Sequence, residues 1–321
     1  MISRATLYAS LLAVIGFIAS LAIGPDGLGL PQNSDAARLV FTEIRIPRAL
    51  LGLLIGAALG LSGAVLQGYL RNPLAEPGLL GISGGAALGA VTAIHSGIAA
   101  RFALALPIGG LAGAAAAPIA IVSLAGLSGA TTTLILAGVA VSAITAALTT
   151  LALNLSPNPF ASVEIMVWLM GSLTDRSLVH VWLAAPLILV GMAMLLTTGR
   201  DLEALSLGEE AAQNLGVDPG GLRFKVIAGA AFAVGAATAV AGSIGFVGLI
   251  VPHILRPFVG DSPGGLLVPS LFGGAALVLF ADVALRAVAP YSDLRLGVLT
   301  ALIGAPFFLW LVLKKRLEMQ P

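Results

Sequence analysis

The chain has 321 residues, of which 58% are hydrophobic and only 10% charged, with a formal net charge of +1. A soluble domain carries about 25% charged residues, so this composition, with a mean hydropathy of +1.05, belongs largely in lipid. The near-neutral balance gives no reason to expect nucleic acid or an acidic partner, and the lack of cysteine excludes disulfides, thiolate catalysis and cysteine-based metal sites.

The first apolar run, 5–24, follows Arg4 and contains Ser20-Leu21-Ala22, a passable signal-peptide cleavage site. The run is long for a signal core and right for a span, so a retained first helix is expected. Further runs of spanning length fall near 48–68, 79–99, 102–126, 132–154, 181–199, 224–243, 266–288 and 296–313. Another, 244–258, is short and broken by Pro252; counting it gives about ten spans. The piece 160–173, after Pro157 and Pro159, is too short to span and reads as a re-entrant or surface helix. The 40 glycines recur inside these runs. Membrane helices tolerate them because small residues let backbones approach.

An even number of spans puts both termini on one side. Lys314, Lys315 and Arg316 close the last run and place that side in the cytoplasm. Arg71, Arg200, Arg223 and Lys225 then fall in inner loops, as the positive-inside rule requires. Arg38, Arg45, Arg48, Arg176 and Arg295 fall outside, against the rule, and call for a local reason.

The longest polar segment, 200–221, reads RDLEALSLGEEAAQNLGVDPGG and is expected in the cytoplasm. Its apolar residues have helical spacing over 205–215, followed by Gly216 as a C-cap, so it is either one short amphipathic helix or an ordinary solvated loop. RALLGLLIGAALGLSGAVLQG (48–68) and RFKVIAGAAFAVGAATAVAGSIGFVG (223–248) both run from arginine through small residues to a glycine-rich end. In the topology above they run in opposite directions, a weak sign of an inverted repeat.

The chain holds no Gly-Lys dipeptide, hence no phosphate-binding loop, and neither GxSxG nor HExxH. His95, His180 and His253 lie far apart in sequence. No catalytic residue, metal site or cofactor is expected, and any ATP must bind another subunit. Acidic residues within spans are scarce, which argues against a proton-coupled carrier. Asp282 has Arg286 four residues on, a favourable order for a structural pair; Glu164 and Asp175 lie in outer segments. Two polar breaks stand out. One, 67–78, carries Asn72-Pro73 and Pro77; the other, 245–256, carries Pro252, which frees a backbone carbonyl. Such breaks are tolerated in a membrane only where protein or a water-filled path covers them.

The motifs RIPRALLGLLIGAALGLSGAVLQG (45–68), RNPLAEPGLLGISGGAALGA (71–90), LILAGVAVSA (134–143), SLGEEAAQNLGV (206–217), GFVGLIVPHILR (245–256), FADVALR (280–286) and GVLTALIGAPFF (297–308) resemble the FecCD-type permeases of type II ABC importers. They occur in the family's order and cover nearly the whole chain. Those importers take up iron–siderophore complexes, haem and vitamin B12. The resemblance implies an all-α integral membrane protein of about ten helices with the BtuC-like permease fold, one permease domain over 1–321. It implies a homodimer, two ATPase subunits beneath and a substrate-binding protein above.

It also implies roles for residues. Leu207, Gly208, Glu209, Glu210, Ala211, Leu215 and Gly216 match the cytoplasmic segment that seats in the ATPase. Arg45, Arg48 and Arg295 match outer positions that meet glutamates of the binding protein; lipid headgroups or local salt bridges are the other use for them. Asn72, Leu74 and Thr131 to Thr133 are candidates for the inner gate, the path running along the dimer-facing helix 132–154; otherwise the threonines cap that helix and Asn72 fixes a turn. One departure is Leu296, where the family usually has proline before the glycine.

The reading is therefore an importer subunit that supplies path and coupling without covalent chemistry. Ferric siderophore ranks first as cargo, then cobalamin, then haem. An ion-coupled carrier acting alone is the competing reading. An intramembrane enzyme would need a nucleophile or metal cluster that the spans lack.

Overall fold

The computed structural model describes residues 3–24, 27–28, 35–126, 131–156, 158–260, 262–288 and 294–318, without the side chains of 27–28 and 315–318. The side chains of Lys315 and Arg316, which served to orient the chain, thus lie outside the described residues. Helix α1 (Arg4–Ala22) opens at Ser3, whose hydroxyl accepts the Thr6 amide. A two-residue antiparallel ladder, Ile23–Gly24 with Gly27–Leu28, follows. Then come α2 (Asp35–Leu39), a π-helical turn (Val40–Arg45) and α3 (Ile46–Tyr69), which carries proline in its first turn. A 3-10 turn (Pro77–Leu80) leads into α4 (Ile82–His95). After it come α5 (Ala105–Ala125), α6 (Thr131–Asn154), α7 (Pro159–Leu169) and α8 (Leu178–Leu196). Two short helices, α9 (Gly199–Ser206) and α10 (Glu209–Asn214), precede α11 (Pro219–Ala241), α12 (Val247–Val259), α13 (Pro263–Val288) and α14 (Leu296–Glu318).

Each apolar run became a helix. Among the described residues, eight helical segments are long and apolar enough to cross a membrane, while α4, α7 and α12 are shorter. The runs 79–99 and 244–258 thus give α4, of 14 residues, and α12, of 13. Such helices are about 20 Å long at 1.5 Å per residue, less than the ~30 Å hydrocarbon core. Their starts are set by backbone breaks. Gly81 and Phe246, the residues before them, have φ of 62° and 67° in the left-handed region, which a helix cannot continue. The polar segment also differs from the single helix expected over 205–215. Gly208, at φ 110°, divides it into α9 and α10.

Helix α3 is the axis of the fold. Of its most apolar stretch 83% is buried, against 22% for α14. Small residues set how closely its neighbours lie. A Cβ on Gly60 would overlap the Ser270 carbonyl of α13, and one on Gly63 would overlap the Gly248 carbonyl of α12. Helix α11 packs against α3 in the opposite sense: Arg223, near its start, donates from Nε to the Tyr69 hydroxyl at the end of α3, at 3.0 Å. The two segments that the sequence pairs as a weak inverted repeat thus pack antiparallel.

The two half-helices also meet. Segment 70–76 turns back from the end of α3, so that the 3-10 turn lies beside Gly138 and Val141 of α6, well inside that helix. Segment 242–246 returns from the end of α11, so that Phe246 lies against Gly304, well inside α14. The Glu76 carboxylate then lies near the Phe246 backbone, at the start of α12, where unsatisfied amides and the helix dipole favour an acid. Gln67 of α3, 3% exposed, donates to the Gly248 carbonyl at 3.2 Å, and Arg256 donates to Gln67 Oε1 at 2.9 Å. Polar groups freed by the breaks are thereby paired within the protein.

Replacing Gly63 by valine is expected to cost about 3 kcal/mol through overpacking of backbone on backbone, seen as a lower unfolding midpoint in detergent. Gly245→Ala, whose new Cβ meets nothing within 4 Å, should change stability by no more than about 0.5 kcal/mol.

Candidate functional site

Three groups of side chains lie at two opposite faces of the helix bundle. One face carries segment 199–218, the other segment 170–177. At the 199–218 face, α9 and α10 are fixed by Leu202, Leu205 and Ala212, all buried. Gly216, at φ 88°, ends α10, and the Val217 amide reaches back to the Ala212 carbonyl at 3.0 Å, the return bond of a helix C-cap. The residues expected to couple are mostly outward. Leu207 and Leu215 are 69% and 64% exposed, Glu209 and Glu210 are exposed, and Gly208 and Ala211 are half-buried. Two leucines in water beside two acids form a surface suited to a protein partner.

The same face holds the gate candidates. Asn72 Oδ1 accepts the Leu74 amide at 3.0 Å, and the Asn72 carbonyl accepts the Ala75 amide at 3.1 Å. Asn72 thus builds the turn that sends the chain back, the alternative role noted for it, and Leu74 rides on that turn. Thr131 to Thr133 open α6, where Thr132 and Thr133 are exposed. Thr131 donates to Glu209 Oε1 at 3.4 Å, and Arg71 Nη2 donates to the same oxygen at 3.3 Å. Segment 199–218, the start of α6 and the residue before Asn72 therefore meet at one carboxylate oxygen. Beside it lies a cavity of about 320 Å³ lined by Tyr69, Thr131, Glu209, Gln213 and Arg223.

At the 170–177 face the arginines are drawn together by one acid. Asp282 of α13, 1% exposed, receives Arg48 in a fork, with Nε at 3.0 Å from both carboxylate oxygens and Nη2 at 2.8 Å from Oδ1. Arg286 Nη2 lies 3.1 Å from Asp282 Oδ2, so the pair expected from spacing is formed. Arg286 also donates to the Ser20 hydroxyl at 3.0 Å and to the carbonyls of Ser20 and Ile23. The cluster joins α1, α3 and α13. Arg48, expected to meet a binding protein, is 15% exposed and forms the local salt bridge weighed as its other use, because a buried carboxylate lies within reach of its fork. Arg45 donates to the Leu21 and Ala22 carbonyls at 3.0 and 3.4 Å. Arg45 thus lies at the same end of α1 that Arg286 holds through Ser20 and Ile23.

Arg295 stands elsewhere on this face, half-buried before α14. Leu296, in the place of the usual proline, is 1% exposed and still begins the helix. The Gly297 amide donates to the Gly171 carbonyl at 3.2 Å, tying α14 to segment 170–177. Arg176 on that segment has a buried Nε with no hydrogen-bond partner. Burial loosens the proton of its guanidinium, Asp175 opposes that effect and Arg295 adds to it.

Helix α6 buries only the stripe Leu134, Ala137, Gly138, Val141 and Thr145, and exposes Leu136, Val139 and Ile144. Helix α14 likewise exposes Leu302, Ile303, Leu309 and Trp310. Sequence reasoning missed the roles of Gln67, Glu76 and Arg256. Their signal was present in the polar breaks, but the pairing joins residues as far apart as 189 positions.

The FecCD transport family matches residues 9–314. The cobalamin import system permease protein BtuC of Halobacterium salinarum is 40% identical over 290 residues, 90% of this chain and 76% of the relative. The vitamin B12 import system permease protein BtuC of Citrobacter koseri is 38% identical over 310 residues, 96% of this chain and 93% of the relative. Among solved structures, a metal-chelate type ABC transporter in an inward-facing conformation superposes with a TM-score of 0.87 at 35% identity, covering 96% of this chain and 98% of that one.

Removing Asp282 by Asp282→Ala strands two arginines in a buried setting and is expected to cost about 3–5 kcal/mol. Arg48→Ala leaves Asp282 paired with Arg286 and should cost less. Thermal unfolding of the purified variants in detergent checks the order.

Proposed function

The chain belongs to the FecCD transport family and is the permease subunit of an ABC importer; we propose that its cargo is a corrinoid of the cobalamin type, handed over by a binding protein and driven by ATP hydrolysis on separate subunits. The observation that carries the choice of cargo is the likeness, over nearly the whole chain, to permeases named for cobalamin and vitamin B12 import. It moves cobalamin ahead of ferric siderophores and haem. The large, partly apolar chelate also suits an α6 that exposes Leu136, Val139 and Ile144 and no charged side chain. A path without charged ligands gives little affinity, so specificity falls to the binding protein.

Assembly follows from uncovered surfaces. The apolar faces of α6 and α14 support a homodimer with the path between two copies. Leu207, Leu215 and the acids beside them support attachment of two ATPase subunits at the 199–218 face, which is then cytoplasmic, together with both termini. The 170–177 face is then periplasmic. Arg45 and Arg295 there are suited to carboxylates on the two lobes of a binding protein, while Arg48 and Asp282 hold the outer ends of α1, α3 and α13 at fixed spacing. The whole of 1–321 acts as one permease domain, with 200–221 as its coupling segment. Thr131 to Thr133, Asn72 and Leu74 would form the inner gate, a role supported by their shared place at the 199–218 face.

Reconstitution decides between drivers. Proteoliposomes holding this chain, its ATPase and its binding protein should take up cobalamin only with ATP inside. Uptake by the chain alone on a proton or sodium gradient would overturn the reading in favour of a secondary carrier. Arg45→Glu with Arg295→Glu should raise the binding-protein concentration needed for half-maximal uptake about tenfold at low salt, with a smaller factor at high salt, because rim charges act through screened attraction.

A further inference from the structure

Glu209 is the one coupling residue whose carboxylate reaches beyond its own segment in two directions. Its Oε1 is shared by Arg71, 3.3 Å away on the turn after α3, and by Thr131, 3.4 Å away at the start of α6. Those partners lie 138 and 78 residues away in sequence, so the fold, not local geometry, brings them there. Arg71 reaches Glu209 from a left-handed backbone, φ 49°, a conformation that a non-glycine residue keeps only when its surroundings hold it. The next residue, Asn72, fixes the turn through the Leu74 amide, so a pull on Arg71 moves the turn as a body. Helices α9 and α10 are likewise anchored together by Leu202, Leu205 and Ala212. The cavity of about 320 Å³ beside Glu209 leaves room for displacement. Arg71 and Glu209 are half-exposed, at 49% and 55%, so each contact is weak and can be made and broken repeatedly.

We propose that Glu209 is the positioning residue that transmits movement of the coupling segment to the inner ends of α3 and α6, and so to both gate segments at once. This rests on the importer reading above. The ATPase displaces α10, the shared carboxylate moves with it, and Arg71 and Thr131 follow or are released together. A single acid thus adds a shared link at the inner ends of two elements that also touch farther along, where the 3-10 turn lies beside Gly138 of α6.

The test uses the full complex in proteoliposomes and counts cobalamin molecules taken up per ATP hydrolysed. E209Q and R71Q should each lower that ratio about fivefold, the low end of usual coupling between sites. The exchanged pair, R71E with E209R, should restore at least half of the original ratio, because the contact is re-formed with its charges reversed. Unchanged ratios in both single variants overturn the proposal, and so does an exchanged pair as poor as the two changes combined. Loss of ATPase from the purified complex in E209Q, with R71Q transporting normally, also overturns it by making Glu209 an attachment contact alone. If the unchanged complex shows no ATP-driven uptake of cobalamin or of any ferric chelate, the importer reading itself has failed.

Discussion

Backbone polar groups inside a bilayer have no water to fall back on, and the fold is organised around that shortage. Two segments leave helical geometry at membrane depth, before α4 and before α12. Each would strand amides and carbonyls at a cost of several kcal/mol per group. They are placed so that they serve one another. Glu76 from the first break lies near the Phe246 backbone of the second, and Gln67 covers two carbonyls at the start of α12. The arrangement requires α3 to lie against α12 with no side chain between them at Gly63 and Gly248. Small residues on α3 are thus the condition under which polar breaks can exist at all.

The charges follow a different logic at each face. The cluster of Arg48, Asp282 and Arg286 is buried, forked and shared by three helices. Its pairing adds little net stability over an apolar core, yet removing one partner is costly. It therefore fixes geometry. The pairs at the 199–218 face, Arg71 with Glu209 and Lys225 with Asp201, are half-exposed and lie at 3.3 and 3.4 Å. They hold loosely and exchange easily.

Much of this was legible in the sequence because membrane physics writes in long words. Runs of apolar residues gave every long helix, and the antiparallel partners α3 and α11 were visible as a pattern of arginine followed by small residues. The Asp282–Arg286 pair followed from helical spacing. What the sequence could not show was contact between distant residues. Nothing near Arg48 indicates that Asp282, 234 positions away, will take up its guanidinium in a local salt bridge. Nor does the run 205–215 reveal that Gly208 will take a left-handed conformation and split it. Helical periodicity survives such a break, since each half still turns one apolar side toward the protein, Leu202 and Leu205 in α9 and Ala212 in α10.

The contrast between the two faces also bears on how such a subunit can work. A path that binds its cargo strongly would hold it, so a conduit does better with apolar walls and no fixed charge. The free energy for movement must then enter from outside the path and travel along the protein to the gate. A well-packed core cannot deform continuously, but helices anchored at one end by the buried arginine cluster can tilt if their other ends are held only by exposed contacts. α3 and α13 are pinned beside α1 at the 170–177 face, while at the other face the turn after α3 and the start of α6 meet Glu209 through exposed contacts, beside the buried bond of Arg223 to Tyr69. On the proposed coupling, rigidity at one face and weak, shared polar contacts at the other would turn a push on a six-residue helix into a change of tilt, without breaking the paired groups between α3 and α12.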